Sequence, residues 1–301
     1  MTSWTAEMAQ AAEPLGLVAG SGLMPLRIAD AAAKAGRPLF CILVEGFARP
    51  QDFAAYRHEV VPLGQVGRMI ALLRGQRVRH LVLAGRVTRP SLLAFRFDAE
   101  GMRLVAKLGR RAIFGGDDGL LSAVLRLVRE EGFRPLGAQE VLEALLVPEG
   151  VLTRRGPTED DRADIARGVL VARALGAADV GQCCVVQQGL VLGLEAIEGT
   201  DALLARCAGL RREGGGGVLV KLVKPRQDVR ADLPVIGPET ARGAAAAGLA
   251  GIAIQARGGP SGLAGTLVVD RDETVAAADA AGLFLVAIRP ADFLPPKESE
   301  R

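Results

Sequence analysis

Apolar residues in the first half of the chain fall in short runs, separated by stretches with helical spacing. Leu15–Ala19, Leu39–Val44 and Leu81–Ala84 are continuous apolar runs of strand length. Met24 to Ala35 reads as a helix ended near Gly36, and Val66–Arg74 as a second helix. Asp118–Glu131 is a stronger one, with Leu120, Leu121, Val124, Leu125 and Val128 on one face. Such runs suit strands buried on both sides. Their alternation with helices predicts a parallel sheet covered by helices.

The pattern changes near residue 147. A short helical stretch, Gln139–Leu146, is followed by Pro148, Gly150, Gly156 and Pro157. Thr158, with acidic residues behind it, suits the N-cap of a helix running through Leu175. Cys183–Gln187 and Leu190–Ile197 are apolar runs joined by Gln188-Gly189, a two-residue hairpin turn. Thr200 opens another helix, and Val218–Val223 reads as a strand behind Gly214–Gly217. A helix over Ala241–Leu249, a strand at Ile252–Ile254, a strand at Leu267–Val269, a helix over Thr274–Ala281 and a strand at Leu283–Ala287 complete the second half. The expected organisation is a loose extension over 1–13, an N-terminal α/β domain over 14–147, a second, mixed α/β domain over 148–289, and a tail over 290–301.

Composition narrows the chemistry. Half of the 301 residues are hydrophobic, enough for two cores. Thirty-seven basic residues against 34 acidic ones leave a net charge of +3 with no long basic run, so nucleic acid is not implied. The only histidines are His58 and His80, which excludes H-E-x-x-H and every site with three histidine ligands. A metal here would be held by carboxylates, which points to Mg²⁺ or a similar hard ion. Cys41, Cys183, Cys184 and Cys207 form no C-x-x-C and read as reduced core thiols; on a strand, Cys183 and Cys184 point to opposite faces. The first residues lack the pattern of a signal peptide, and no apolar run reaches about 18 residues, so a cytoplasmic protein is expected.

Five segments could carry chemistry. Gly20-Ser21-Gly22-Leu23-Met24-Pro25 leaves a strand and opens a helix, where free N–H groups and the helix dipole favour an anion; a tight turn without a ligand is the alternative. Gly85-Arg86-Val87-Thr88 also follows a strand, at the edge where open parallel sheets collect ligands, or it is an ordinary loop. Gly116-Asp117-Asp118 starts a helix; the two acids either complement its dipole or hold Mg²⁺. Glu198-Gly199-Thr200-Asp201 is a further helix start with room for a ligand beside the glycine. The fifth segment runs from Lys221 through Lys224 and Asp232 to Gly237. It holds two of only five lysines, three residues apart, followed by a carboxylate in a proline-punctuated loop. Ammonium groups neutralise phosphate oxygens, and the carboxylate binds a metal or orients water; a solvated loop is the alternative.

Taken in order, GLVAGSGLMP, LVLAGRVTRP, GDDGLL, EGFRPLGAQEV, DVGQCCVVQQGLVLGLEAIEGTDALL, KLVKPRQDVRADLPVIG, AGLAGIAIQA and LVVDRDETVAAADAAGLFL resemble the UDP-2,3-diacylglucosamine pyrophosphatase family of the LpxI type, over roughly residues 15–288. The resemblance implies a Rossmann-like N-terminal domain and a distinct C-terminal domain, with the ligand between them. It implies Mg²⁺-dependent hydrolysis of UDP-2,3-diacylglucosamine to 2,3-diacylglucosamine 1-phosphate (lipid X) and UMP, in lipid A biosynthesis of Gram-negative bacteria. Asp232 would be catalytic and, with Asp117 and Asp118, would hold the metal. Gly20, Ser21, Gly22, Leu23, Gly85, Thr88 and Gly116 would bind substrate from the first domain. Gln182, Gly199, Thr200, Lys221 and Lys224 would do so from the second. Ser21, Arg86 and Gln139 stand where the family usually has Gly, Asn and His. Peripheral contact with the inner membrane is expected because the substrate is a lipid, and a homodimer is left open.

Two other classes remain at this level. Gly20, Gly22 and Glu45 allow a nicotinamide-dependent oxidoreductase, although Pro25 occupies the place of the third fingerprint glycine. A non-catalytic carrier of lipid or nucleotide would need the same apolar cleft without turnover.

Overall fold

A computed structural model of the protein describes residues 13–87, 97–103, 117–225, 233–259 and 262–294. The side chains of residues 117–120, 123 and 143 lie outside that description. The chain divides into two compact units, with the changeover between Glu143 and Ala144. Among the described residues no helix is long and apolar enough to cross a membrane.

The first unit is built on a five-stranded, all-parallel sheet. Its strands are β1 (Leu15–Ala19), β2 (Leu39–Val44), β3 (His58–Val61), β4 (His80–Ala84) and β5 (Arg134–Leu136), in the order β3-β2-β1-β4-β5. This is the strand order of a doubly wound, Rossmann-like fold. Residues of β2 alternate between two cores. Phe40 and Ile42 join Leu73 of α2 (Val66–Gly75) and Val128 of α3 (Asp117–Glu130). On the other face α1 (Met24–Lys34) packs against β1 and β2 and buries Ile28, Ala29 and Ala32. A short helix, α4 (Ala138–Val141), packs beside α1. β3 and β5 are the sheet's edges and were not expected. One is four residues long with an alternating burial pattern, and the other contains Pro135, which an edge strand tolerates because a missing N–H there breaks no inner ladder.

The second unit has a mixed six-stranded sheet. Its strands are β6 (Gly150–Val151), β7 (Cys183–Gln187), β8 (Leu190–Leu194), β9 (Val218–Lys221), β11 (Gly251–Gln255) and β13 (Phe284–Ile288), in the order β6-β13-β11-β9-β7-β8. β9, β11 and β13 are parallel, and the other pairings are antiparallel. A two-stranded parallel pair, β10 (Val235–Ile236) and β12 (Leu267–Val268), stands apart from it. Helix α5 (Glu159–Ala177) covers one face, with Ile165, Val169 and Ala172 in its core. Helices α6 (Thr200–Ala208), α7 (Pro238–Ala246) and α8 (Arg271–Ala280) supply Leu203, Ala241 and Ala278 to the core on the other face. Cys183 lies in that core and Cys184 in the one beneath α5, as alternation on a strand requires.

Local chemistry explains the boundaries. Thr158 caps α5: its hydroxyl oxygen accepts from the Asp161 N–H at 3.2 Å, while Asp161 takes the Thr158 N–H at 2.9 Å. The β7–β8 turn has Gln188 at φ 54° and Gly189 at φ 75°, both in the left-handed region that a tight hairpin needs. Buried Asp164 on α5 accepts from both of their N–H groups, at 3.0 and 2.7 Å. β9 ends at Lys221 rather than Val223 because the Val223 N–H donates to the Gln255 side chain at 3.1 Å instead of a strand. α7 begins earlier than expected, at Pro238, which suits a first helical turn because its missing N–H has no partner there.

Two expectations follow from this packing. A Cβ on Gly168 of α5 would lie 2.4 Å from Val220 Cγ2, so the close approach of the helix to β9 at that point requires a glycine. Gly168→Ala is expected to destabilise by about 1–3 kcal/mol of overpacking, partly offset by a helix-propensity gain of about 1 kcal/mol. Val220→Ala in the same chain should recover part of the loss in urea unfolding. The four thiols are buried and free. Burial pushes Cys41 and Cys184 up to about 12, from a value of 9.0 in the open chain. Above pH 9 the unfolded state loses these protons first, so stability should hold below pH 9 and fall as pH rises towards 12. Urea midpoints across that range test this, and Cys41→Ala should flatten the decline.

Candidate functional site

Chemistry-bearing residues gather at one edge of each unit's sheet. In the first unit, the loops after β1 and β4 are bonded to each other. The Gly20 N–H donates to the Ala84 carbonyl at 2.8 Å. Ser21 and Arg86 exchange two backbone hydrogen bonds of 2.9 Å, and the Ser21 hydroxyl donates to the Arg86 carbonyl at 3.0 Å. A Cβ on Gly20 would sit 2.5 Å from the Arg86 carbonyl oxygen. One on Gly85, at φ +91°, would sit 2.7 Å from the Gly20 carbonyl carbon. The close approach of two backbones therefore accounts for both glycines. Ser21 and Arg86, two of the three positions that depart from the expected motif, are partners in this zipper. The third, Gln139, is buried on α4.

What the zipper leaves facing outward is the start of α1. A Cβ on Gly22, at φ +102°, would meet nothing within 4 Å, and Leu23 is exposed. Among the described residues no side chain caps α1, and its first turn has no acid. Pro25 is buried in that turn, beside the position a Gly85 Cβ would take. Unpaired N–H groups and the dipole give this helix start a partial positive charge that suits an anion. Glu45, just past β2, is exposed.

In the second unit a chain of buried polar groups runs across the end of β9. The Lys221 ammonium, only 6% exposed, donates to Thr200 Oγ1 at 2.7 Å and to the Val235 carbonyl at 3.0 Å. The Thr200 hydroxyl donates to Glu195 Oε1 at 2.6 Å. Glu195, 7% exposed, takes the Gln182 N–H on its other oxygen at 3.1 Å. The Lys221 carbonyl in turn accepts from the Thr266 hydroxyl at 3.2 Å. Gly199, at φ +80°, is the N-cap of α6 and leaves that helix without a side-chain cap. Beside this chain the Cys183 thiol is held well above its usual range, first by burial and then by the Glu195 carboxylate against the opposing pull of Lys221. Lys224 pairs with Asp179 at 2.7 Å. The Gln182 amide oxygen is buried and meets no hydrogen-bond partner among the described residues.

Gly20, Ser21, Gly22, Leu23 and Gly85 thus share one sheet edge. Gly199, Thr200, Lys221 and the Gln182 backbone share the other. Thr88, Gly116 and Asp232 lie outside the described residues, as do the side chains of Asp117 and Asp118 at the start of α3. Among the described residues no three His, Cys, Asp or Glu side chains come close enough to hold a metal. As donors, the three carboxylates named from the sequence are the hard oxygens that Mg²⁺ takes. Glu195 and Asp179 were missed. Glu195 had left a signal: it is the one carboxylate closing the apolar run Leu190–Leu194, just before the polar helix start at Thr200.

The zipper yields a direct expectation. Gly20→Ala forces the two loops apart and should lower stability by about 1–3 kcal/mol. Gly22→Ala meets open space and bears only the strain of its positive φ, about 1 kcal/mol. Urea unfolding of the two variants should rank them in that order.

Comparison with known proteins agrees with both halves. The family model of the LpxI N-terminal domain matches residues 14–145, and that of the LpxI C-terminal domain matches residues 148–286. The UDP-2,3-diacylglucosamine pyrophosphatase LpxI of Caulobacter vibrioides is 41% identical over 283 residues, covering 92% of this chain and 98% of its own. With both of its domains matched and a relative of that identity aligned along nearly the full length, this chain belongs to the LpxI family.

Proposed function

We propose that this protein hydrolyses the pyrophosphate bond of UDP-2,3-diacylglucosamine, giving 2,3-diacylglucosamine 1-phosphate and UMP. The observation that carries this reading is the 41% identity to a pyrophosphatase of that name across 98% of its length. Water adds its oxygen to the sugar-side phosphorus, the anhydride P–O bond breaks, and UMP leaves with the bonding electrons. A diphosphate needs charge neutralisation and alignment more than covalent help.

The chain's own groups suit that task. The uncapped start of α1, with Gly22 open beside it, offers N–H donors to phosphate oxygens. Lys221 spends two of its three N–H donors within the protein, and the third is the one proposed to meet the substrate. In the second unit Lys224, Gly199 and Gln182 are proposed as further substrate contacts, with Thr200 holding Lys221 in place; in the first unit Gly20, Ser21, Leu23, Gly85, Thr88 and Gly116 are proposed to bind. Asp232 is proposed to orient or deprotonate the attacking water. Asp232, Asp117 and Asp118 would hold Mg²⁺, which when bound withdraws charge from the diphosphate oxygens.

The substrate's acyl chains lie in a membrane, so we place the enzyme in the cytoplasm in peripheral contact with the inner leaflet. Ile197 is fully exposed, and Leu190 and Leu194 are half-exposed, which supports such contact. A nicotinamide reading is weaker. The phosphate-binding turn of that class wants a third glycine where buried Pro25 stands.

UMP release from UDP-2,3-diacylglucosamine tests the reading. Chelation with excess EDTA should abolish it and Mg²⁺ should restore it. Asp232→Ala should lower turnover by on the order of 10²-fold or more. Near-normal turnover by that variant rejects the residue, and no UMP from the wild type rejects the function. A binding isotherm with NADH in a fluorescence titration would favour the nicotinamide class instead.

A further inference from the structure

We infer that Glu195 is a positioning residue for the reaction proposed above, acting through Thr200 on Lys221 and on the backbone at Val235. The inference rests on that functional reading, but its geometry stands independently. An ammonium can only donate, so Thr200 Oγ1 must accept from Lys221. The hydroxyl has one proton, and Glu195 Oε1 at 2.6 Å is where it goes. Both Glu195 oxygens therefore act as acceptors, one for Thr200 and one for the Gln182 N–H, which is the pattern of an ionised carboxylate. The chain Lys221 to Thr200 to Glu195 has a single polarity, with a cation at one end and an anion at the other.

Both charges are more than nine-tenths buried and separated by one hydroxyl. Each is the other's compensation, and a buried charge that loses its partner is strongly disfavoured. Lys221 uses its second donor on the Val235 carbonyl, at the start of β10. Val235 follows Asp232 by three residues in the chain. Glu195 thereby ties the end of β8, the start of α6, the end of β9 and the start of β10 into one unit. With Glu195 neutralised, Thr200 can turn its proton elsewhere, and Lys221 loses the acceptor that holds it against Val235.

Four variants read this out. Glu195→Gln replaces one acceptor with a donor, so either Thr200 or the Gln182 N–H is mismatched. Thr200→Val keeps the shape and removes the hydroxyl. Thr200→Ser keeps the hydroxyl. The double variant Glu195→Gln/Thr200→Val cuts the same chain twice. Steady-state UMP release well below the melting temperature should show kcat down about tenfold or more for Glu195→Gln and Thr200→Val, with KM within about threefold. Thr200→Ser should stay within about threefold of wild type, and the double variant should be no worse than its worse parent. Amide hydrogen exchange over residues 233–236 should quicken in the first two variants and not in Thr200→Ser. A lower melting temperature with unchanged kcat overturns the inference, because the chain then only stabilises. A raised KM at constant kcat also overturns it, because Thr200 then simply contacts substrate. Unchanged exchange at 233–236 in every variant overturns it too. Failure of the wild type to release UMP would instead remove the functional reading, and the exchange data would still decide the linkage.

Discussion

A buried ammonium ion must be matched by oxygen, and Lys221 finds its oxygens on two separate elements. One is the hydroxyl that opens α6, and the other is the carbonyl that opens β10. The cation cannot leave these acceptors for water because it lies inside the unit. Glu195 completes the charge balance one hydroxyl away. Much of the second unit's sheet edge depends on this match. The Thr266 hydroxyl fastens on the Lys221 carbonyl, and the Gln255 N–H fastens on Thr266 at 3.3 Å, so β11 is drawn in as well.

The first unit solves the corresponding problem without charge. Its two loops meet so closely that only glycine fits at positions 20 and 85, and backbone hydrogen bonds between Ser21 and Arg86, with one more from the Ser21 hydroxyl, hold them together. Gly20 and Gly85 therefore shape the edge, while Gly22 is the glycine that leaves room outside it. A glycine motif that suggested phosphate binding thus contains two kinds of glycine, distinguishable only once the neighbouring loop is in place.

Most of the fold was legible because fully buried strands and amphipathic helices have strong periodicity. β1, β2, β7 and α1 fall where the apolar runs put them. The elements that escaped are short or on edges. His58–Val61 and Arg134–Leu136 have mixed polarity, and Gly150–Val151 and Val235–Ile236 span two residues each. Such segments become strands because a partner supplies the ladder, not because their own sequence demands it. Site residues divide similarly. Lys221 and Thr200 stood out through rarity and position, but their mutual bond joins residues 21 apart and depends on α6 packing over β7 and β9.

By itself the sequence determined the α/β class, the alternation of elements, the chemistry available for a metal and the motifs that mark the LpxI family. These are properties of residue type and local spacing, which survive without a fold. Tertiary structure alone decided that Ser21 and Arg86 zip two loops together, that Gln187 at the end of β7 reaches the Gly215 carbonyl at 2.7 Å, and that Lys221 is matched by Glu195 through Thr200. Hydrogen bonds between residues distant in the chain depend on positions accurate to a few tenths of an ångström, and only the packed sheets and helices supply that accuracy.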